Sequence, residues 1–157
     1  MAPVLANKVP NLNRWTTPLD FGMSYKGKRI LGDNKTCRGL VSGIFLGGLV
    51  AALEGTYLFR VDTKYLYIWI LAGMLMGFGA LMGDAVESFF KRRSGRNPGQ
   101  TWFPYDQTDY IIGGLVVMLP FIGLNWGLII RIFVLYFGLH LLLAYIGFLL
   151  GLKDKPI

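Results

Sequence analysis

The chain has 157 residues, of which 54% are hydrophobic and only 16% are charged, and its mean hydropathy is +0.47. This composition excludes an ordinary soluble domain and predicts a single integral membrane domain, residues 1–157. Sixteen basic residues against nine acidic ones give a net charge of +7. The only cysteine is Cys37, which excludes an intrachain disulfide and a cysteine-based metal site.

Long uncharged runs predict the secondary structure. The run from Tyr65 to Gly83 has nineteen residues without a charge, which is about the length that a helix needs to cross a ~30 Å hydrocarbon core. We therefore predict an all-α polytopic membrane protein with four transmembrane helices. These helices are expected at residues 39–59, 65–90, 106–124 and 127–152. Residues 1–38 then form an N-terminal segment with a first cytoplasmic loop, and residues 91–105 form a second one.

Local signals predict how the helices start and pack. Asn34 and Thr36 both precede the first span, and either side chain could cap its free N–H groups. Small residues three or four apart allow two helices to approach closely. Such glycines occur in the first two spans, at Gly43, Gly47, Gly48, Gly73, Gly77, Gly79 and Gly83.

The basic residues are concentrated in alternate polar segments. The first loop, the second loop and the C-terminal tail carry most of them, whereas residues 60–64 and 125–126 carry few. The positive-inside rule places the basic segments in the cytoplasm. We therefore expect a multi-pass protein of the cell membrane with a polar site at the cytoplasmic membrane edge. The same distribution favours anionic lipids and phosphates, and not nucleic acid, as partners.

One polar face follows the second uncharged run. Its residues are spaced i, i+3, i+4 and i+7, and they are Asp84, Glu87, Ser88 and Lys91. An ionisable residue at the lipid edge is a functional candidate, because burying it there costs free energy. The alternative is an ordinary helix end with a Glu87–Lys91 pair. That alternative leaves Asp84 unexplained.

Asp106 and Asp109 lie three residues apart at the start of the third span. Carboxylates are favourable at a helix N-terminus, so capping alone could explain them. However, the second helix descends to the side from which the third ascends, which would bring both residues close to Asp84. Three converging carboxylates repel one another unless a hard cation such as Mg²⁺ neutralises them.

Cations near the spans supply a complementary set. Those beside the membrane are Lys35, Arg38, Lys91, Arg92 and Arg93. They could bind a triphosphate, the arginines in bidentate fashion. Gly32 and Gly39 would allow backbone N–H groups to approach it. The alternative is that these cations serve only topology and lipid head groups.

Three motifs occur in order along the chain: Gly32-Asp33-Asn34-Lys35-Thr36-Cys37-Arg38-Gly39-Leu40, Gly83-Asp84-x-x-Glu87-Ser88-Phe89-x-Lys91-Arg92 and Pro104-x-Asp106-Gln107-x-Asp109. Together they resemble the motifs of the archaeal CDP-archaeol synthases and, more distantly, those of the phosphatidate cytidylyltransferases. The resemblance covers roughly residues 17 to 152. It implies an enzyme that transfers CMP from CTP to the phosphate of an isoprenoid ether lipid, with Mg²⁺ as cofactor.

The resemblance also implies roles for residues. The residues expected to act in catalysis are Asp84, Lys91, Arg92 and Asp109. The residues expected to bind the nucleotide are Gly32, Asn34, Lys35, Thr36, Arg38, Gly39, Glu87 and Arg93. The expected Mg²⁺ ligands are Asp84, Asp106 and Asp109. The expected partners are CTP, the lipid phosphate and the bilayer, and the sequence does not specify an oligomeric state.

The chain departs from the family pattern in two places. Cys37 stands where the family usually has a tryptophan, so no stacking role is carried over to that position. The family also usually has five spans, one of them ahead of the first cytoplasmic loop. Here that span is expected to be missing or reduced to the apolar residues Ala2–Ala6.

The sequence leaves other functions as alternatives. The same reaction on an ester-linked phosphatidic acid is the nearest alternative. A small transporter would require ionisable residues near mid-span, where only His140 lies, and His140 is better explained as a hydrogen bond between helices. A lipid-binding scaffold would not need the carboxylates. The Asp-Gly-x-x-Ala-Arg signature of CDP-alcohol phosphotransferases is absent from the sequence.

Overall fold

Four α-helices make up most of the computed structural model, which describes residues 16–96, 100, 102–123 and 125–150. The helices are α1 (Cys37–Leu53, continued by a π-helical turn, Glu54–Leu58), α2 (Thr63–Arg93), α3 (Tyr105–Ile122) and α4 (Trp126–Leu149). Two short strands, β1 (Ser24–Tyr25) and β2 (Lys28–Arg29), form an antiparallel hairpin. The hairpin lies in the first polar loop, residues 17–36. Apart from this hairpin, the described structure is all-α, as predicted. The segment Ala2–Ala6 lies outside the described residues.

Three of these helices, α1 with its π-helical turn, α2 and α4, are long and apolar enough to cross a membrane. Helix α3 has 18 residues, and its first turns carry Asp106, Gln107 and Asp109, which lower its hydropathy. Helix α2 has 31 residues, and at 1.5 Å per residue it is about 46 Å long. Since a hydrocarbon core is ~30 Å thick, the polar C-terminal turns of α2 extend beyond the lipid.

Side chains cap three helix N-termini. Thr36 Oγ1 accepts a hydrogen bond from the Gly39 N–H at 3.1 Å, so Thr36 is the cap of α1. Of the two predicted candidates, the structure therefore selects Thr36. Asp62 caps α2 and Asn125 caps α4 in the same way. Each cap satisfies an N–H group that has no partner within its helix.

Glycines allow the first three helices to pack with their backbones in contact. A Cβ atom on either Gly47 or Gly73 would collide with the carbonyl oxygen of the other, at the crossing of α1 and α2. The same reciprocal relationship holds for Gly79 and Gly113 at the crossing of α2 and α3. The close approach predicted from the glycine spacing is thus confirmed.

Helix α4 lies at the periphery and contacts mainly α3. The Tyr110 hydroxyl and His140 Nδ1 are 3.3 Å apart and join these two helices. The prediction of an interhelical hydrogen bond for His140 is confirmed. Most of the remaining α4 surface is exposed, as expected for a helix that faces lipid.

Candidate active site

The crossing of α2 and α3 brings carboxylates together. At Gly83, α2 touches the backbone carbonyl of Asp109, and a Cβ atom there would collide with it. Asp84 is the next residue of α2 and Glu87 follows one turn later. Asp84, Glu87 and Asp109 each offer an oxygen within 4.8 Å of the others. Glu87 is buried and the other two are partly buried. We call these three residues the carboxylate cluster.

Asp106 lies beside the cluster, and both of its carboxylate oxygens have partners. One of its oxygens pairs with Lys91, and the other accepts the Trp102 N–H at 2.7 Å. Lys91 also lies 3.1 Å from Glu87, so that its largely buried ammonium bridges the two carboxylates. Glu87, predicted as a nucleotide contact, therefore takes the position in the cluster that the sequence prediction gave to Asp106. The i,i+4 Glu87–Lys91 pair forms as part of this arrangement.

The first polar loop brings a cation to the cluster. Lys35 Nζ lies 2.5 Å from Asp84 Oδ2, and both side chains are partly buried. Immediately after Lys35, Thr36 caps α1, and Arg38 and Gly39 are buried in its first turn. Asn34 is exposed in the loop. Lys35 thus connects the first motif to the carboxylate cluster.

Gly32 faces Arg92. The backbone φ of Gly32 is +91°, a conformation that favours glycine, and a Cβ atom would lie 3.4 Å from Arg92 Nε. Arg92 Nη1 donates to the Arg96 carbonyl at 3.0 Å. Arg92 Nε is buried and has no hydrogen-bond partner among the described residues. A buried guanidinium donor without a partner is suited to an anion.

Arg93 joins the hairpin to α2. Its Nη1 donates to the Tyr25 carbonyl at 2.8 Å. The guanidinium also lies over the rings of Tyr25 and Phe89, 5.1 and 4.8 Å from their centroids. These contacts fix the first polar loop on the C-terminal turns of α2. They give Arg93 a structural role beside the nucleotide contact predicted for it.

Asp20 organises the first polar loop, and the sequence prediction did not single it out. Its side chain is 1% exposed and pairs with Arg29 Nη2 at 2.7 Å. Burial on its own raises the pKa of Asp20, but the hydrogen bonds from Arg29 and from the backbone N–H groups of Leu31, Gly32 and Gly22 outweigh it, so the pKa lies well below its usual value. One signal was available: Asp20 is the only acidic residue ahead of Asp33.

An apolar groove of about 580 Å³ runs between α2 and α3. Glu87 and Asp109 line it where it meets the cluster, and Val116, Val117 and Gly79 line it further along the helices. A second apolar groove, of about 310 Å³, lies between α3 and α4, and Val116 borders both. The carboxylate cluster therefore opens directly onto a surface suited to hydrocarbon chains.

Comparison with known proteins gives consistent matches. Residues 2–157 match the family model described as CarS-like, CDP-archaeol synthase. The chain is 38% identical to the CDP-archaeol synthase of Methanospirillum hungatei, over 97% of this chain and 96% of the relative. It is 39% identical to that of Methanocorpusculum labreanum, over 89% of this chain and 90% of the relative. It is 34% identical to that of Sulfolobus acidocaldarius, over 89% and 83% respectively.

A solved structure is also similar. It is described as an intramembrane enzyme for archaeal membrane lipids biosynthesis. The two chains superpose with a TM-score of 0.69 and are 28% identical, and the match covers 94% of this chain and 89% of the other. The likeness therefore extends over all four helices and the first polar loop.

Proposed function

The chain belongs to the CDP-archaeol synthase family, whose members are CTP-dependent cytidylyltransferases, and from this premise we propose its substrate and mechanism. It transfers CMP from CTP to 2,3-bis-O-geranylgeranyl-sn-glycerol 1-phosphate, an unsaturated archaetidic acid. The products are the CDP-activated ether lipid and pyrophosphate, and the reaction requires Mg²⁺. The observation that carries the proposal is the carboxylate cluster, which meets Lys35 on one side and an apolar groove on the other.

The residues present fit a magnesium ion. Asp84, Glu87 and Asp109 provide three carboxylates whose oxygens lie within 4.8 Å of one another. Carboxylate oxygens are the protein ligands that Mg²⁺ prefers. Asp84, Asp109 and Glu87 would hold the ion, with Asp106 next to them. Bound there, Mg²⁺ would neutralise charge on the phosphates that meet in the site.

Basic residues of the chain bind and orient the nucleotide. Arg92 Nε is a buried donor without a hydrogen-bond partner in the described part of the chain, and it faces Gly32, whose lack of a side chain keeps the space beside the guanidinium open. Lys35 extends from the same loop towards Asp84. Together they provide two cations for the triphosphate of CTP on the polar side of the carboxylate cluster.

The reaction needs no strong general base. An oxygen of the lipid phosphate is already anionic, and it attacks the α-phosphorus of CTP. A new P–O bond forms as the bond to the β-phosphate oxygen breaks, and pyrophosphate leaves with that electron pair. Repulsion between the anions dominates the barrier, so positioning and cationic side chains provide most of the catalysis. Lys91 contributes by neutralising Glu87 and Asp106.

The groove between α2 and α3 gives the lipid its path. Its walls are almost entirely apolar, and its polar end is formed by Glu87 and Asp109. A lipid phosphate whose chain lies in the groove would present its head group to the carboxylate cluster. The basic loops around this end support a site at the cytoplasmic face of the cell membrane, because basic segments are favoured on that side.

The test supplies purified protein in detergent with labelled CTP, Mg²⁺ and one of two lipids, the geranylgeranyl ether phosphate or an ester-linked phosphatidic acid. We expect CDP-lipid from the ether substrate at a much higher rate than from the ester. An equal or greater rate with the ester would show that phosphatidic acid is a substrate at least as good as the ether lipid, and would overturn the proposed lipid specificity. Formation of no CDP-lipid from either would overturn the proposed reaction.

A further inference from the structure

We propose that Asp20 is a positioning residue for the nucleotide: it folds the first polar loop so that Gly32 meets Arg92 and Lys35 reaches Asp84. The inference rests on the proposed function, because it assumes that this loop binds CTP. Asp20 itself does not touch the carboxylate cluster. Its contacts lie within the loop, and its effect is transmitted through the backbone.

The Asp20 carboxylate holds three separate parts of the loop. Oδ1 accepts the Gly22 N–H at 3.1 Å and Arg29 Nη2 at 2.7 Å. Oδ2 accepts the N–H groups of Leu31 and Gly32 at 2.9 and 3.1 Å, and Arg29 Nε at 3.4 Å. Both oxygens are therefore surrounded only by donors. The start, the hairpin and the end of the loop converge on one side chain that is nearly inaccessible to solvent.

Two backbone routes lead from Asp20 to the site. The first is direct: Asp20 accepts a hydrogen bond from the Gly32 N–H, and Gly32 is the residue that faces Arg92. The second passes through its neighbour Leu19, whose N–H donates to the Lys35 carbonyl at 2.7 Å. Through these bonds Asp20 determines where two nucleotide-facing residues lie.

The chemistry requires a carboxylate at this position. An asparagine would place an NH₂ group where one of the two oxygens now accepts at least two donors. At the Oδ1 position the NH₂ group would oppose the Gly22 N–H and Arg29 Nη2, and at the Oδ2 position it would oppose the N–H groups of Leu31 and Gly32. The charge that pairs with Arg29 is lost in both orientations. The loop that carries Gly32 and Lys35 would then be held less firmly, while the helices would keep their own packing.

The experiment compares wild type with Asp20→Asn, using Asp62→Asn as the matched control. Asp62 caps α2 away from the site, and asparagine caps a helix about as well as aspartate. We measure KM for CTP, KM for the lipid phosphate and kcat, together with the thermal unfolding midpoint in detergent. For Asp20→Asn we expect a KM for CTP about tenfold higher, since a hydrogen-bonded charge is lost behind the nucleotide site. The KM for the lipid is expected to change less than about twofold, because α2 and α3 form the groove and the first polar loop does not line it.

A second variant covers the case in which Asp20→Asn fails to fold. Arg29→Gln removes the ion pair but leaves the backbone bonds to Asp20, and Arg29 is only partly buried. It should raise the KM for CTP in the same direction by a smaller factor. Unchanged KM for CTP in either folded variant, or an equal rise in both KM values, would overturn the inference while leaving the proposed function intact. An inactive wild type would overturn both.

Discussion

The ammonium of Lys35 lies 2.5 Å from a carboxylate oxygen of Asp84, although the two residues are 49 positions apart. This pair joins the first polar loop to α2 where α2 crosses α3. It brings Lys35, a cation of the first motif, to the carboxylate cluster, whose residues come from the second and third motifs. The proposed nucleotide site is thus assembled from segments that are distant in sequence, and each can be tested separately.

Asp84→Asn should abolish most of the activity while the protein still folds. The substitution removes one negative charge of the cluster and leaves Lys35 without its partner, so both metal and nucleotide would be held less well. We expect kcat to fall by about 100-fold or more, as measured with labelled CTP and the ether lipid phosphate. Asp62→Asn provides the control, since it makes the same chemical change on the loop before α2. Near-normal rates for Asp84→Asn would remove Asp84 from the site.

The Mg²⁺ dependence should distinguish Glu87 from Asp106. Only Glu87 lies within the cluster with Asp84 and Asp109, whereas Asp106 is engaged with Lys91 and the Trp102 N–H. Glu87→Gln should therefore raise the Mg²⁺ concentration for half-maximal rate by about tenfold or more, because loss of a group that only supports a metal ligand already costs about 10–100-fold in affinity. Asp106→Asn should shift it less. Chelation with EDTA should abolish activity in all active variants, and added Mg²⁺ should restore it.

The opposite order would favour the ligand set predicted from the sequence. If Asp106→Asn shifts the Mg²⁺ requirement more than Glu87→Gln, then Asp106 is the ligand and Glu87 supports Lys91. Activity that survives EDTA would contradict any role for a divalent cation. A titration of rate against free Mg²⁺ for wild type and both variants separates these outcomes.

The sequence predicted the helices and their close packing because both depend on local patterns. Uncharged runs define spans through the cost of burying charge in lipid. Glycines at intervals of three or four define one face of each helix, and Gly47 with Gly73 shows that such faces meet. The proximity of Asp84 and Asp109 followed from the antiparallel direction of α2 and α3.

The sequence could not show which carboxylates converge. Asp106 and Asp109 lie on the same side of α3, and which of them faces Asp84 depends on the height at which Gly83 meets α3. Nor could it show the contacts of Asp20, because the loop around it has no periodicity and its bonds reach as far as Gly32. Such contacts depend on loop geometry, and composition or spacing does not encode that.

Gly83→Ala should weaken both the fold and the activity. A Cβ atom at Gly83 would collide with the Asp109 carbonyl, so α2 and α3 would have to separate. Overpacking of this kind costs about 1–3 kcal/mol of stability, and a displacement of ~1 Å between catalytic groups can cost about 100-fold in rate. Thermal unfolding in detergent and the rate of CDP-lipid formation measure the two effects.

Gly138→Ala is the matched control for Gly83→Ala. Gly138 lies in α4, and no atom of the described residues lies within 4 Å of the position that its Cβ would occupy. The same added methyl group should therefore leave stability and rate unchanged or slightly raise stability, because alanine favours the helix. Equal effects of the two substitutions would show that backbone contact between α2 and α3 is not what makes Gly83 necessary.

Val116→Trp should impair use of the lipid without impairing use of CTP. Val116 lines the groove between α2 and α3, and it is seven residues from Asp109, which is about 10 Å along a helix. A tryptophan there would fill space that we assign to a lipid chain, while the nucleotide lies on the polar side of the cluster. We expect the KM for the lipid phosphate, expressed as a mole fraction in mixed micelles, to rise by about fivefold or more with the KM for CTP unchanged.

The control for Val116→Trp is Val134→Trp. Val134 is similarly exposed, at 63% against 57% for Val116, but it lies on α4 and borders neither groove. Its substitution should leave both KM values unchanged, because a tryptophan on a lipid-facing surface displaces only bulk lipid. If Val134→Trp raises the lipid KM as much as Val116→Trp, the effect is a general one of surface bulk and the groove does not bind the substrate. If Val116→Trp raises the KM for CTP instead, the groove binds the nucleotide. The lipid phosphate would then lie on the polar side of the carboxylate cluster.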